Sequence, residues 1–224
     1  MGAHGCRNQY WVMIAIERRR AYGGKVLPYD AEVEYLESTG TQWIDTGIIP
    51  QFPDSLTYLA NVSYSNTQTR QIMGRQGHFY FGVVNGKFQS GQGGTQTTNI
   101  VISANVFHNI ECNIISASIP GVDGTFAYNV DGISGSITHG FLNDPANGSI
   151  WLFCANDANT LRGANKISLF TIKRNGVVLR DYIPVRKGNV GYMYDRVSKK
   201  LFGNQGTGAF IIGPDKVISG GVTL

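Results

Sequence analysis

Residues 166–182, KISLFTIKRNGVVLRDY, decide the fold of this chain. Polar and apolar residues largely alternate over residues 166–173, which is the period of a half-buried β-strand, and residues 177–182 form a second strand-like run. Asn175-Gly176 separates the two runs, and Asn-Gly between alternating runs is the strongest short-range signal of a β-hairpin. The segment therefore predicts two antiparallel strands joined by a tight turn.

The same pattern extends over the rest of the chain. Asn85-Gly86 and Asp131-Gly132 each separate two further strand-like runs. The other predicted strands cover residues 31–35, 43–44, 56–64, 71–75, 78–84, 87–89, 100–102, 109–116, 125–130, 133–137, 149–154, 191–194, 201–202 and 209–212. Many short strands, with frequent turns and almost no helical periodicity, predict an all-β, two-sheet antiparallel sandwich or barrel.

The composition agrees with this prediction. Charged residues make up 15% of the 224 residues, against roughly 25% in ordinary soluble domains, so long solvated helices are not expected. Glycine is abundant, at 29 residues, and supplies turns. No linker-like stretch divides the middle of the chain, so we predict one main domain over residues 31–214, with a tail at 215–224.

Residues 1–30 differ from the rest because they are basic and lack strand alternation. The apolar run at residues 10–16 is too short to span a membrane, and Arg18, Arg19 and Arg20 follow it rather than precede it, unlike the charges of a secretory signal. We interpret residues 1–30 as a basic attachment arm. The net charge of +4 comes partly from this arm, so we expect no specific nucleic-acid partner.

The three cysteines and four histidines show no spacing typical of metal ligands. We expect the cysteines to be buried free thiols, with a disulfide between Cys112 and Cys154 as the alternative. We expect the histidines to be structural.

Four segments carry a resemblance to a known family: residues 33–47 (VEYLESTGTQWIDTG), 166–170 (KISLF), 175–185 (NGVVLRDYIPV) and 191–204 (GYMYDRVSKKLFGN). Together they resemble the concanavalin A-like, laminin G-like jelly rolls of bacteriophage virion proteins and of surface proteins of gut Bacteroidota. The resemblance implies a jelly-roll sandwich over about residues 31–214 and a virion or cell-surface setting. It does not fix the function, because the family contains lectins, glycosidases, adhesion modules and decoration proteins.

An enzyme is the sharpest alternative, since concanavalin-like glycosidases carry carboxylates spaced E-x-D-x-x-E on one strand. Glu32, Glu34 and Glu37 approach this pattern, and alternate residues on a strand face the same way. The central acid is Glu rather than Asp, however, and the strand opens the sheet instead of lying deep within it. Exposed charges on a first strand also serve as ordinary edge protection. We therefore predict a protein without catalytic residues.

Glycan binding is favoured over catalysis as the function of the sandwich. Sugar sites combine an aromatic face with polar groups that bind hydroxyls. Trp43 and Trp151 lie in apolar runs and are expected in the core, so recognition is expected from the polar loops at residues 65–69, 90–98 and 156–165. The candidate glycan ligands in or next to these loops are Gln68, Arg70, Gln92, Asn156, Asp157 and Arg162.

The resemblance also implies calcium binding as an alternative, because laminin G-like domains often hold this ion through acidic side chains at the sandwich rim. Asp144 and Asp157 are the candidates, but no dense acidic cluster supports them. Asp123 and Asp131 each precede a glycine and are expected in turns. We predict no metal or cofactor, with calcium as the alternative.

The closing motif places Arg180, Asp181, Arg186 and Asp195 among apolar residues, with Pro184 expected to end its strand. We interpret the four charged residues as surface ion pairs, each worth about 0 to 1 kcal/mol.

The leading hypothesis is a non-enzymatic phage virion surface protein: a head fibre, a capsid decoration or a tail-associated adhesin. Its sandwich would bind surface glycans weakly, and its arm, with Arg18, Arg19 and Arg20, would contact other virion proteins. A homo-oligomer is compatible with this setting. The alternatives are a glycan-processing enzyme and a lectin-like module on the bacterial cell surface.

Overall fold

β-Strands, antiparallel apart from one short pairing, make up the regular structure of the described residues in a computed structural model of the chain. The structure describes residues 27–50, 55–66, 70–75, 78–91, 95–115, 124–139, 148–156 and 163–217. Within these ranges the chain forms no helix and eighteen strands: β1 (Ala31–Glu32), β2 (Leu36–Thr39), β3 (Ile44–Asp45), β4 (Ser55–Tyr64), β5 (Arg70–Arg75), β6 (His78–Val84), β7 (Lys87–Gly91), β8 (Thr95–Val101), β9 (Phe107–Ile115), β10 (Gly124–Val130), β11 (Ile133–His139), β12 (Trp151–Leu152), β13 (Ala155–Asn156), β14 (Ala164–Arg174), β15 (Val177–Lys187), β16 (Val190–Asp195), β17 (Lys200–Phe202) and β18 (Ile211–Ile212).

The strands form two sheets. The larger has the order β11-β10-β9-β4-β14-β15-β16-β17, with β1 paired to β15 and β2 paired to both β14 and β18. The smaller has the order β3-β12-β5-β6-β7-β8, and β13 adds a short parallel pairing to β5. Together they form the predicted jelly-roll sandwich. No helix in the described part of the chain has the length and apolar character to span a membrane.

Alternating side chains of both sheets build the core. Along β4 every second residue from Leu56 to Tyr64 is buried. Tyr58 of β4 and Phe170 of β14 meet Phe81 of the smaller sheet, with ring centroids 6.2 and 6.0 Å from Phe81. All three side chains have no exposed surface, and burying each stabilises the fold by about 1.5 to 3 kcal/mol. The sandwich is held together by this inter-sheet aromatic packing.

Three predicted hairpins are confirmed with the expected turn geometry. Asn85-Gly86, Asp131-Gly132 and Asn175-Gly176 all have positive φ at both positions, between 46° and 89°. Positive φ at both central residues is the requirement of a type I′ turn, which Asn-Gly and Asp-Gly meet at low cost. These turns join β6 to β7, β10 to β11 and β14 to β15.

Two strand predictions are corrected. Pro184 does not end its strand, because β15 continues to Lys187 and Pro184 pairs with Met193. Proline lacks an N–H group, but its carbonyl oxygen still accepts a hydrogen bond from the N–H of Val33, at 3.0 Å. The predicted loop at residues 90–98 is shorter than expected, since β7 reaches Gly91 and β8 begins at Thr95.

Both flanks of the sandwich reach beyond residues 31–214. Asp30 N–H donates to the Arg186 carbonyl oxygen at 2.8 Å, and Tyr29 is buried. At the other end, Asp215 forms a bridge with Val33 and accepts two hydrogen bonds of 2.6 Å from the Arg186 guanidinium. The remainder of the predicted arm, with Arg18, Arg19 and Arg20, lies outside the described residues.

Cys112 and Cys154 are both buried and neither forms a disulfide, which settles the alternative left open by the sequence. Burial raises the pKa of the Cys112 thiol well above its ordinary value, and the neighbouring charge of Glu111 adds to the rise. A protonated, buried thiol is a poor nucleophile.

We therefore expect a maleimide reagent to leave Cys112 and Cys154 unlabelled in the folded protein and to label both in denaturant. A Cys6→Ser variant restricts the assay to these two sites, and mass spectrometry without reductant gives the count. Rapid labelling of either cysteine in the folded protein would contradict the expectation.

Candidate functional site

Two tryptophans stack on the outer face of the smaller sheet. The ring centroids of Trp43 and Trp151 are 3.5 Å apart and their planes differ by 16°. The following residues on each strand, Ile44 and Leu152, have no exposed surface, so alternation turns the tryptophans outward. Both tryptophans are half-buried and lie outside the core clusters. The prediction that they belong to the core is therefore wrong.

The strand register brings these side chains together. Trp151 pairs directly with Asp45 of β3, so Trp43, two residues before Asp45, is its diagonal neighbour on the same face, within reach of an aromatic ring. On the other flank Trp151 pairs with Gly74 of β5. Because glycine has no side chain, β5 contributes no group beside Trp151 at this position.

A segment from the end of the chain holds Trp43 in place. Trp43 N–H donates to Asn204 Oδ1 at 3.1 Å, and Gln205 N–H donates to the Trp43 carbonyl oxygen at 2.9 Å. Asn204 Oδ1 also accepts a hydrogen bond of 2.8 Å from Gly206 N–H. A Cβ atom at Gly206 would lie 1.9 Å from the Thr41 carbonyl oxygen and 2.9 Å from Trp43 Cδ1, so this close approach requires glycine.

Neither Asn204 nor Gly206 was among the predicted site residues. The available signal was the run GNQGTG at residues 203–208, directly after the closing motif. Such a run indicates a turn or close approach, but it does not reveal which residue it approaches, 161 positions away in the chain.

The acid nearest to the tryptophan pair in the strand register is Asp45. Its Oδ1 atom accepts a hydrogen bond of 2.8 Å from Gly47 N–H, and its Oδ2 atom accepts none from the described residues. Thr41, Gln205 and Thr207 are exposed along the adjoining edge. The surface around the rings thus offers a carboxylate, two hydroxyls and an amide.

The prediction that the charged residues of this region form surface ion pairs is wrong for Asp195, whose carboxylate is buried. Asp195 has no exposed surface; it accepts hydrogen bonds from the N–H groups of Asp181, Val197 and Ser198, at 2.9, 3.1 and 3.1 Å. Arg180 Nε lies 3.8 Å from Asp195 Oδ2 and donates to the Thr46 carbonyl oxygen at 3.1 Å. This network joins β15, β16 and the segment that follows β3.

The network also affects a neighbouring phenol. Burial raises the pKa of Tyr182, Arg180 opposes the rise, and the charges of Asp195 and Asp45 add to it. Tyr182 therefore remains a neutral phenol in ordinary buffers.

Asp181 and Arg186 do form the predicted surface pairs. The Arg196 guanidinium donates two hydrogen bonds of 2.9 Å to the Asp181 carboxylate, and Arg186 pairs with Asp215.

The six predicted glycan ligands lie wholly or in their side chains outside the described part of the structure. Gln68, Gln92, Asp157 and Arg162 lie outside the described residues. Arg70 and Asn156 lie on β5 and β13 of the smaller sheet, but only their backbone is described. All six stay predictions.

The calcium candidates Asp144 and Asp157, and the turn residue Asp123, also lie outside the described residues. Within the described ranges, no group of three or more His, Cys, Asp or Glu side chains is placed to hold a metal ion. Asp131 occupies a turn as expected, and its Oδ2 atom lies 2.6 Å from His108 Nδ1.

Glu32, Glu34 and Glu37 do not share one strand. The chain bends at Glu34 and Tyr35, which separate β1 from β2. Glu32 accepts a hydrogen bond from Tyr29 Oη at 3.3 Å, Glu34 is exposed, and Glu37 lies 3.7 Å from Lys166 Nζ. The single strand that the enzyme alternative assumed is therefore interrupted between Glu32 and Glu37.

No family model matches the sequence, and no curated protein matches it. One similar solved structure is a protein from Bacteroides ovatus described as a "putative carbohydrate binding protein", with a TM-score of 0.58 and 12% identity; the match covers 83% of this chain and 61% of that protein. A native heptameric SAP-like pentraxin from Limulus polyphemus has a TM-score of 0.49 and 12% identity, covering 87% of this chain and 100% of the pentraxin. At 12% identity the Bacteroides structure shows the fold alone.

Proposed function

We propose that this protein is a non-enzymatic, lectin-like module that binds glycans through the stacked pair Trp43 and Trp151. The observation that carries the proposal is the outward position of the pair. Two aromatic rings that turn away from a filled core, half-buried and flanked by polar groups, have the composition of a sugar site.

The physical basis is the surface that these rings offer. A tryptophan ring presents a large, rigid apolar face, on which the C–H face of a pyranose can lie. The sugar's hydroxyl groups then need polar partners at the rim, and Asp45, Gln205 and Thr207 can supply them. Because Trp151 lies on β12 and Trp43 directly precedes β3, the stack is not on a long loop and little ordering is required on binding.

The Bacteroides ovatus protein, which is described as binding carbohydrate, supports this proposal by its similar fold. This chain spans 61% of that protein's length, so we transfer only the general notion of carbohydrate binding. Glu32 contacts Tyr29, Glu34 is exposed and Glu37 lies beside Lys166. These separate surroundings favour binding over hydrolysis, since a glycosidase needs two carboxylates at a fixed separation across one sugar.

The setting we propose is the surface of a phage particle, as a head fibre, capsid decoration or tail-associated adhesin. It is supported by the family resemblance of residues 33–47, 166–170, 175–185 and 191–204 to virion jelly rolls. A module on the bacterial surface is the other setting in which such domains occur.

A panel of immobilised polysaccharides tests the binding function. We expect retention of the protein on at least one neutral polysaccharide without release of reducing sugar. Release that disappears in Glu32→Gln and Glu34→Gln variants would instead identify an enzyme, and no retention on any glycan would contradict the proposal.

Deletion of residues 1–26 tests the virion setting. Tyr29 and Asp30 are packed against β15 and β16, so this deletion spares the described sandwich. We expect mass spectrometry to find the full chain, but not the shortened chain, in purified particles, with equal melting temperatures for both. Incorporation of the shortened chain would contradict attachment by the arm, and absence of both would contradict the virion setting.

A further inference from the structure

We infer that the site formed by Trp43, Trp151 and Asp45 selects uncharged pyranose rings over uronic or sialic acids, and that Asp45 determines this selectivity. The inference rests on the proposed function and adds the class of ligand.

Asp45 occupies the position nearest to the exposed stack. It is the direct cross-strand partner of Trp151, and side chains in such pairs have Cβ atoms about 4.5 to 5.5 Å apart on the same face. The Oδ1 atom is held by Gly47 N–H at 2.8 Å, which orients the carboxylate. The Oδ2 atom, without a donor among the described residues, is available to accept hydroxyl protons from a sugar on Trp151.

The same negative charge disfavours an acidic ligand. A carboxylate on a ring stacked against Trp151 would lie within several ångströms of Asp45, and at that separation like charges repel appreciably even in water. We expect a roughly fivefold preference for the neutral ring, reduced by added salt.

The nearby cations do not cancel this effect. Arg180 lies close to the loop that holds Asp45, since a Cβ atom at Gly47 would be 3.8 Å from Arg180 Nη2. Its guanidinium is, however, committed to the carbonyl oxygens of Thr46 and Leu179 and lies 3.8 Å from the buried Asp195 carboxylate. Arg75 of β5 has a buried Nη1 atom. Arg180 is therefore already paired with Asp195, whereas Asp45 forms no ion pair among the described residues.

The test compares a neutral oligosaccharide with its counterpart oxidised to the uronic acid at C6, using calorimetry or biolayer interferometry. Wild-type protein is expected to bind the neutral sugar about fivefold more tightly, and Asp45→Asn, which keeps an oxygen for Gly47, is expected to bring the two affinities close together. Asp215→Asn is the matched control, because this carboxylate pairs with Arg186 away from the stack, and it should leave the ratio unchanged.

Equal or tighter binding of the acidic sugar by wild-type protein would overturn the inference while leaving the proposed function intact. An unchanged ratio in Asp45→Asn would overturn the role of Asp45. Absence of binding to neutral and acidic sugars alike would overturn the proposed function and the inference together.

Discussion

Replacing Trp151 with alanine is expected to lower the affinity for the bound glycan at least tenfold. Aromatic side chains at the centre of a binding site commonly contribute 2 kcal/mol or more, which exceeds a factor of ten. Trp151 contacts Trp43 and lies outside both core clusters. The substitution removes the binding surface and leaves the packing between the two sheets in place. Glycan titration together with thermal unfolding measures both effects.

Phe107→Ala provides the matched control for Trp151→Ala. Phe107 is 38% exposed and belongs to β9 of the larger sheet, so it is an aromatic residue at the surface but remote from the stack in sheet order. We expect its replacement to leave glycan affinity unchanged. Equal losses in both variants would indicate a general surface effect, and full affinity in Trp151→Ala would remove the stack from the site.

Much of the sandwich could be predicted because its strongest signals are local. The Asn-Gly and Asp-Gly turns require positive φ within two adjacent residues, and the long strand β4 alternates over enough residues to define which face is buried. In β4 the alternation predicted from sequence and the observed burial agree from Ser55 to Val62.

The candidate site was harder to predict because its strands are very short. The strands β3 and β12 contain two residues each, which is too few for alternation to show that Ile44 and Leu152 face inward while their tryptophan neighbours face outward. Their pairing also joins Asp45 to Trp151 across more than a hundred residues. Register over that distance is set by tertiary packing, which local pattern does not contain.

Asp195 illustrates a second limit of sequence-based prediction. A charged residue between Tyr194 and Arg196 is expected at the surface on composition, yet its side chain is fully buried. The reason is that the N–H groups of Val197 and Ser198, in the chain reversal after β16, and the N–H group of Asp181 on β15 all turn toward one carboxylate. Only the folded turn reveals that these donors converge.

Replacing Asp195 with alanine is therefore expected to destabilise the protein by about 3 to 5 kcal/mol, as is usual when one partner of a buried charged network is removed. The three N–H groups of Asp181, Val197 and Ser198 lose their acceptor, and Arg180 loses its nearest carboxylate. For a chain of this length the loss corresponds to a melting temperature lower by about 10 °C. Calorimetry or denaturant titration measures it.

Asp181→Ala is the control for Asp195→Ala, because Asp181 forms a bidentate surface pair with Arg196, in which the two side chains are 24% and 49% exposed. Asp181 also accepts a hydrogen bond of 3.2 Å from Thr171 Oγ1. Exposed pairs contribute about 0 to 1 kcal/mol, so its loss should be several times smaller. Similar losses in the two variants would contradict the special role of Asp195.

Asp195→Ala should also disturb the near-ultraviolet circular dichroism of the tryptophan pair below the melting transition, since Arg180 also donates to Thr46, directly after β3. An unchanged signal would show that the stack is held by Asn204 and Gly206 independently of the buried carboxylate.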